Sequence, residues 1–145
     1  MPRVDFYILP GRQAGSRSLL ACRLAEKAYG LGHNVYIHTA SPEQAQQLDE
    51  LLWTFRQGSF VPHGLYPDAD QDIPPVLIGW EPEPLVNATL LINLSDEAPA
   101  FLERFERVAE LVDQDEKTLN LSRDKFRHYR AQGYELHSHK LTTGS

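Results

Sequence analysis

The sequence predicts an α/β fold of Rossmann-like type: three layers, with a mostly parallel sheet flanked by helices. Three observations predict it. Strand-length apolar runs alternate with segments of helical period at the start of the chain, and parallel strands joined in this way need helical crossovers. Interior runs such as Val76-Leu77-Ile78 and Leu90-Leu91-Ile92 are continuously apolar, as strands covered on both faces are. The loop after the first strand has the frame of a phosphate-binding turn, in the place where such folds carry one.

Val4, Phe6 and Ile8 alternate with Asp5 and Tyr7 ahead of Pro10-Gly11, which marks a first strand running into a loop. A helix follows, with Ser16 or Ser18 as its cap, Leu20, Leu24, Ala28 and Leu31 at helical spacing, and Gly32 suited to the left-handed position beyond its end. Residues 34–38 predict a second strand. Ser41-Pro42-Glu43-Gln44 is a strong helix start, with serine at the cap, proline at the first helical position and glutamine placed for a capping box; Ala45, Leu48 and Leu52 mark its buried face. Residues 58–75, rich in proline and without sustained period, predict an extended surface connection. Residues 76–79 and 89–94 predict buried strands, separated by an exposed turn at Glu81-Pro82-Glu83-Pro84. Phe101, Phe105, Val108 and Val112 fall at i, i+4, i+7 and i+11 and predict a third helix behind Ser95, Asp96 and Pro99. A fourth is predicted over residues 115–132, ended by Gly133, with a last strand at 134–137 and the later strands free to run antiparallel at an edge. Residues 1–140 are expected to form one domain, and residues 141–145 a disordered tail.

Composition narrows the function. With 14 Lys and Arg against 20 Asp and Glu, the 145-residue chain carries a net charge of −6, so a nucleic-acid backbone repels the molecule as a whole and strong direct DNA binding is not expected. No run is long enough to span a bilayer and the N-terminus does not read as a signal peptide. Together with a single cysteine, Cys22, read as packing, this points to a cytoplasmic protein without membrane contact. The charge is uneven. Lys117, Arg123, Lys125, Arg127 and Arg130 face only Asp124 between residues 117 and 130, five cations against one anion, so that segment is locally +4 and suits an acidic peptide or a carboxylate.

Catalytic constellations are weak. Gly11-Arg12-Gln13-Ala14-Gly15-Ser16-Arg17-Ser18 approximates a P-loop, but Ser16 replaces its second glycine and Arg17 its lysine, so the loop reads as degenerate, without a nucleotide site; helix capping by serine explains the same residues. The alternative it leaves is a nucleotide-binding or hydrolysing enzyme using residues 11–18. His137 and His139 share a strand face without further metal ligands and read as solvated. Asp113, Asp115 and Glu116 suit a helix start. No serine sits in a nucleophile elbow, and neither cofactor nor metal is expected. The fourth helix is more informative. Taking Leu119 as origin, Arg130, Arg123 and Arg127 lie within about 80° on one side, and Phe126 and Tyr129 within about 80° on the other. This describes either an amphipathic helix with solvated arginines or a peptide-docking seam, arginine forks gripping carboxylates beside an apolar surface. Trp53 and Phe60, around Ser59-Phe60-Val61-Pro62-His63, either cap a core or mark a second partner surface.

Phe6-Tyr7, Leu48-Asp49-Glu50-Leu51-Leu52-Trp53, Ser59-Phe60-Val61-Pro62-His63 and the segment from Arg123 through Phe126, Tyr129-Arg130 and Gly133-Tyr134 resemble, in order and spacing over nearly the whole chain, the chi subunit of bacterial DNA polymerase III holoenzyme. The resemblance implies a non-catalytic, Rossmann-like accessory protein of DNA replication, at the replisome. It implies a bridge from the psi subunit, and through psi the clamp-loader complex, to the acidic C-terminal tail of single-stranded DNA-binding protein, which ends in an apolar side chain beside a free carboxylate. Carried over, Arg123 contacts that carboxylate, with Arg127, Tyr129 and Arg130 nearby, Phe126 lining the pocket or packing, and Trp53 adding apolar surface. Phe60, Val61, Pro62 and His63 match the surface that engages psi and, in some bacteria, a competing helicase-like repair protein. Fewer basic residues precede Arg123 than the family leads one to expect, which implies a weaker grip on the tail.

Overall fold

The computed structural model describes residues 1–66, 73–82, 84 and 86–142. Among these, β1 (Arg3–Ile8), α1 (Ser16–Gly30), β2 (Val35–His38), α2 (Pro42–Thr54), β3 (His63–Leu65), β4 (Val76–Gly79), β5 (Leu90–Asn93), β6 (Arg107–Val112), α3 (Glu116–Ala131) and β7 (Glu135–Lys140) follow one another, with a 3₁₀ turn at Leu102–Arg104. The strands make one sheet in the order β3-β4-β2-β5-β6-β1-β7. Every pairing is parallel. The Rossmann-like expectation therefore holds, and the allowance for antiparallel late strands is corrected: α3 carries the chain back, so β7 enters alongside β1 in the same direction.

Two cores follow from the pleat. Ala21, Cys22 and Ala25 of α1 and Ala45, Leu48 and Leu52 of α2 pack with Val35, Ile37, Val76, Ile78, Ala109 and Leu111 on one face. Tyr129 of α3, with Leu119 and Phe126, packs on the other face with Val4, Phe6, Tyr36, Leu77, Leu91, Val108 and Val112. β2, β4 and β6 bury both faces, which explains their continuous apolar runs.

The helix starts differ. α2 begins as the sequence predicts: the Gln44 amide donates to Ser41 Oγ at 3.2 Å, and the Gln44 side chain accepts from the Ala40 amide at 2.7 Å, one residue earlier than in the usual box. α1 departs from expectation. Neither serine caps it; Gly15, at φ 83°, precedes the first turn without a side-chain cap. Its buried face is made of small residues, while Leu31 is left exposed. Gly133, at φ 86°, follows α3 as expected.

The predicted third helix is a misreading. Residues 101–105 form a short turn and Val108 and Val112 belong to β6. Val108 and Val112, four apart, share a face in a strand as well as in a helix, so only the step from Phe105 to Val108 imitated helical period, and it crosses the loop between two elements. The connection at 58–75 contains the edge strand β3, too short to show a period, while residues 67–72 lie outside the described part. Of the expected exposed turn, Pro84 is buried and its carbonyl accepts from Arg104; Glu83 lies outside the described residues. At the C-terminus the Leu141 amide still donates to Ile8 O at 2.9 Å, so pairing outlasts the predicted boundary; the remainder of the tail, 143–145, lies outside the described residues.

Candidate functional site

α3 amphipathicity is set by what lies beneath it. Parallel register places Asn93 of β5, Glu110 of β6 and Phe6 of β1 side by side on the face that α3 covers. Phe6 packs on Phe126 and Tyr129, ring centroids 5.5 and 6.1 Å apart. Glu110 is 1% exposed and fully engaged. It accepts from Asn93 Nδ2 at 2.8 Å, from Lys125 Nζ at 3.0 Å and from the Tyr129 hydroxyl at 2.6 Å. Lys125 also donates to Ser95 O at 2.7 Å. Burial, then the Glu110 charge and hydrogen bond, raise the Tyr129 phenol far above its ordinary value, so it is a permanent donor. A buried ion pair with its remaining valences filled costs little net free energy, but it admits few alternative packings.

This revises the expected seam. Tyr129 is wholly buried, and its hydroxyl is taken by Glu110, so it supports α3 from inside rather than meeting a partner. Lys125 is likewise internal, and the cations that reach solvent are Lys117, Arg123, Arg127 and Arg130. Arg127 pairs with Asp124 at 3.0 Å, and Arg123 makes a long 3.4 Å hydrogen bond to Asn120. Arg130 has no side-chain partner among the described residues. Phe126 and Leu119 are half-buried beside them, leaving an apolar strip flanked by guanidinium groups.

Trp53 does not belong to this strip. It stands on α2, which packs on the other face of the sheet, toward β3 and β4. There it is 54% exposed beside Phe60, 67% exposed, with ring centroids 5.9 Å apart. Within Phe60-Val61-Pro62-His63, Val61 is core. The His63 ring has no exposed side-chain surface, lies under Trp53 at 4.5 Å, and has its nitrogens 2.6 Å from Val61 O and 2.9 Å from Asp49 O. Two of the four residues thus present the segment, while Phe60 and the half-buried Pro62 face outward.

The degenerate loop is built for structure at its charged position. Arg17, where a P-loop has lysine, donates Nε to Leu111 O at 2.9 Å, and the Gly11 carbonyl accepts from the Gln114 amide at 2.8 Å. Cys22 is fully buried, and burial pushes its thiol up to about 12, the property of a packing residue rather than a nucleophile. The Asp115 amide donates to Asp113 Oδ1 at 3.0 Å just before α3, so one of the expected carboxylates does serve the helix start. The histidines expected in solvent keep 40% and 38% of their side-chain surface exposed and also make hydrogen bonds, His137 with Glu135 at 2.6 Å and His139 with Asp5 at 2.7 Å. Burial raises the Asp5 carboxyl, but hydrogen bonds from His139, Arg107 and Arg3 outweigh it and hold the group below the usual carboxylate range.

Asp5 and Glu110 are the buried charges that sequence reasoning passed over. Asp5 looked like the solvent half of an alternation. Glu110 had a usable signal, a lone acid inside Val108-Ala109-Glu110-Leu111-Val112, hidden by the helical misreading. Among the described residues no cluster of His, Cys, Asp and Glu is arranged to hold a metal, and no helix is long and apolar enough to cross a membrane.

Comparison with known proteins agrees with this architecture. The family model for the DNA polymerase III chi subunit, HolC, matches residues 1–137. DNA polymerase III subunit chi of Pseudomonas aeruginosa is 47% identical over 142 residues, covering 97% of this chain and 98% of that protein. The subunits of the same name from Haemophilus influenzae and Escherichia coli are 34% and 30% identical, covering 91% and 95% of this chain and 92% and 97% of theirs. The crystal structure of T4 UvsW superimposes with a TM-score of 0.68 at 9% identity, covering 96% of this chain and 41% of that one, a likeness of fold alone.

Proposed function

The chain belongs to the DNA polymerase III chi subunit family, and from that premise we propose that it is a non-catalytic adaptor of the replisome in the cytoplasm. In this reading it joins psi, and through psi the clamp loader, to the acidic tail of single-stranded DNA-binding protein. The observation that carries the reading is the α3 surface: Arg123, Arg127 and Arg130 exposed beside the half-buried Phe126, on a helix fixed from below by Glu110. A terminal carboxylate takes the guanidinium fork while the adjoining apolar side chain lies along Phe126 and Leu119. Arg123 and Arg130 supply most of the attraction, because Asp124 partly neutralises Arg127. Trp53, Phe60 and Pro62 form the second surface, for psi or a helicase-like repair protein competing with it. Holding both partners raises their effective concentration at the fork, and no bond need be made or broken.

The test is a titration of this protein against a labelled acidic tail peptide, with its C-terminal carboxylate free or amidated, at two salt concentrations. Binding that needs the free carboxylate and weakens with salt is expected. Equal binding of the amidated peptide would remove the carboxylate from the site. No binding of either would leave α3 a solvated face.

A further inference from the structure

Phe55, just past the end of α2, packs against the apolar core, and Val61 belongs to it. Residues 56–60 run between these two anchors and bring Phe60 to the surface. Its ring stays exposed one residue away from the wholly buried Val61, and a loose loop would let that ring sample many other positions. Glu26, half-buried on α1, reaches across to hold it. Its Oε2 accepts from Arg56 Nη2 at 2.8 Å and also from the Ser59 hydroxyl. Arg56 and Ser59 are the two ends of a turn that the Ser59 amide closes on Arg56 O at 3.2 Å, with Gly58 at φ 82°. One carboxylate oxygen thus grips both ends of the turn, and Ser59 is the residue next to Phe60. The bonds span 30 and 33 positions of sequence, so they moor the turn to α1 rather than stiffen it from within.

We propose that Glu26 is a positioning residue for the Trp53 and Phe60 surface: it fixes the turn so that Phe60 is already in place when a partner arrives. This rests on reading that surface as the psi site. Arg56 keeps 65% of its side chain exposed, and an exposed ion pair adds little to global stability. Two bonds to one oxygen nevertheless remove much of the freedom of a short turn. A surface ordered beforehand binds more tightly, because less has to be ordered on docking. Glu26 acts through Phe60, not by meeting the partner.

Two measurements test it together: amide order parameters from NMR relaxation of the free protein, and a titration with the psi subunit of the same organism. Glu26→Ala should make the amides of residues 57–60 mobile on the picosecond-to-nanosecond timescale. It should weaken psi binding about three- to tenfold and leave tail-peptide affinity and melting temperature in place. Glu26→Gln keeps a side-chain oxygen able to accept from both donors, so its psi affinity should stay within about twofold of the wild type. A direct charge contact with the partner would be lost in the Gln variant as in the Ala variant. Amides equally ordered in Glu26→Ala, or a Gln variant as weak as the Ala variant, would overturn the proposal. A mobile turn that binds psi with wild-type affinity, while Phe60→Ala does not, would overturn it as well. If Phe60→Ala itself binds psi like the wild type, the psi reading of the surface fails, and the order parameters still decide whether Glu26 holds the turn.

Discussion

Beneath α3 a carboxylate, an ammonium and a phenol are buried together; beneath Trp53 and Phe60 there is the apolar core and the two-point tie of His63 to Val61 and Asp49. The first surface lies over β6 and β7, the second over β3 and β4, on opposite faces of the sheet. At α3 the polar core fixes the helix so that exposed guanidinium groups keep a set spacing, and recognition depends on geometry. At α2 and the loop before β3 the exposed groups are large rings, Trp53 on the helix and Phe60 in the loop, and in the proposed reading recognition there depends on area removed from water. In the proposed reading one sheet offers two partners surfaces of unlike chemistry, and a change at one should leave the other intact.

The sharpest way to break that contrast is to remove its foundation. Glu110→Leu strands the Lys125 ammonium in the core and is expected to cost about 3–5 kcal/mol in chemical unfolding. Pairing it with Lys125→Met should recover most of the loss in a double-mutant cycle, though Tyr129 still lacks its acceptor. A single-variant loss under about 1 kcal/mol would mean that the network does not anchor α3. Acid probes the sheet between the surfaces. His38 is buried, and burial lowers its imidazole to about 4 from 6.5. The unfolded chain therefore takes up the proton first. His38 leaves stability undiminished above pH 6.5 and draws it down as the pH falls toward 4, by on the order of 3 kcal/mol. His38→Gln should flatten that limb in denaturation measured at stepped pH; a wild-type protein equally stable at both ends of the window would contradict it.

The surface variants sharpen the comparison directly. Phe60→Ala should weaken psi binding by about 2–4 kcal/mol and leave tail-peptide affinity and melting temperature in place. Arg123→Ala should weaken tail binding by about 1–2 kcal/mol, its exposure limiting the effect, and reduce the salt dependence. Loss of both interactions in either variant, measured side by side, would show that the surfaces are not independent.

Legibility followed element type. α2 could be read to the residue because its cap is local: Ser41, Pro42 and Gln44 act within one turn. β4 could be read because a strand buried on both faces is apolar throughout. β6 could not, because Val108 and Val112 fit both periods, and β3 could not, because three residues are too few to show one. The arginines of α3 were visible as a stripe, but the depth of Tyr129 and Lys125 was not. Whether an aromatic or a lysine on a helical wheel points into the core depends on what the strand below offers, here Glu110, and that pairing spans residues 15 and 19 apart in sequence. Trp53, set beside Phe60 by its place in the chain and beside the arginines by the resemblance, stands next to Phe60 on α2, over β3 and β4; no spacing rule reports which face of a sheet a helix will cover.

The place of β1 between β6 and β7 has a consequence for how the chain is made. β1 has both its neighbours far downstream in the chain, Arg3 pairing with Arg107 of β6 and Glu135 of β7, so its backbone hydrogen bonds wait until those later strands have been made. Loop closure over that separation is slow. Until β6 and β7 emerge, Val4 and Phe6 stand on an unpaired strand with no sheet to cover them, and nascent chains in that interval carry an edge open to one another.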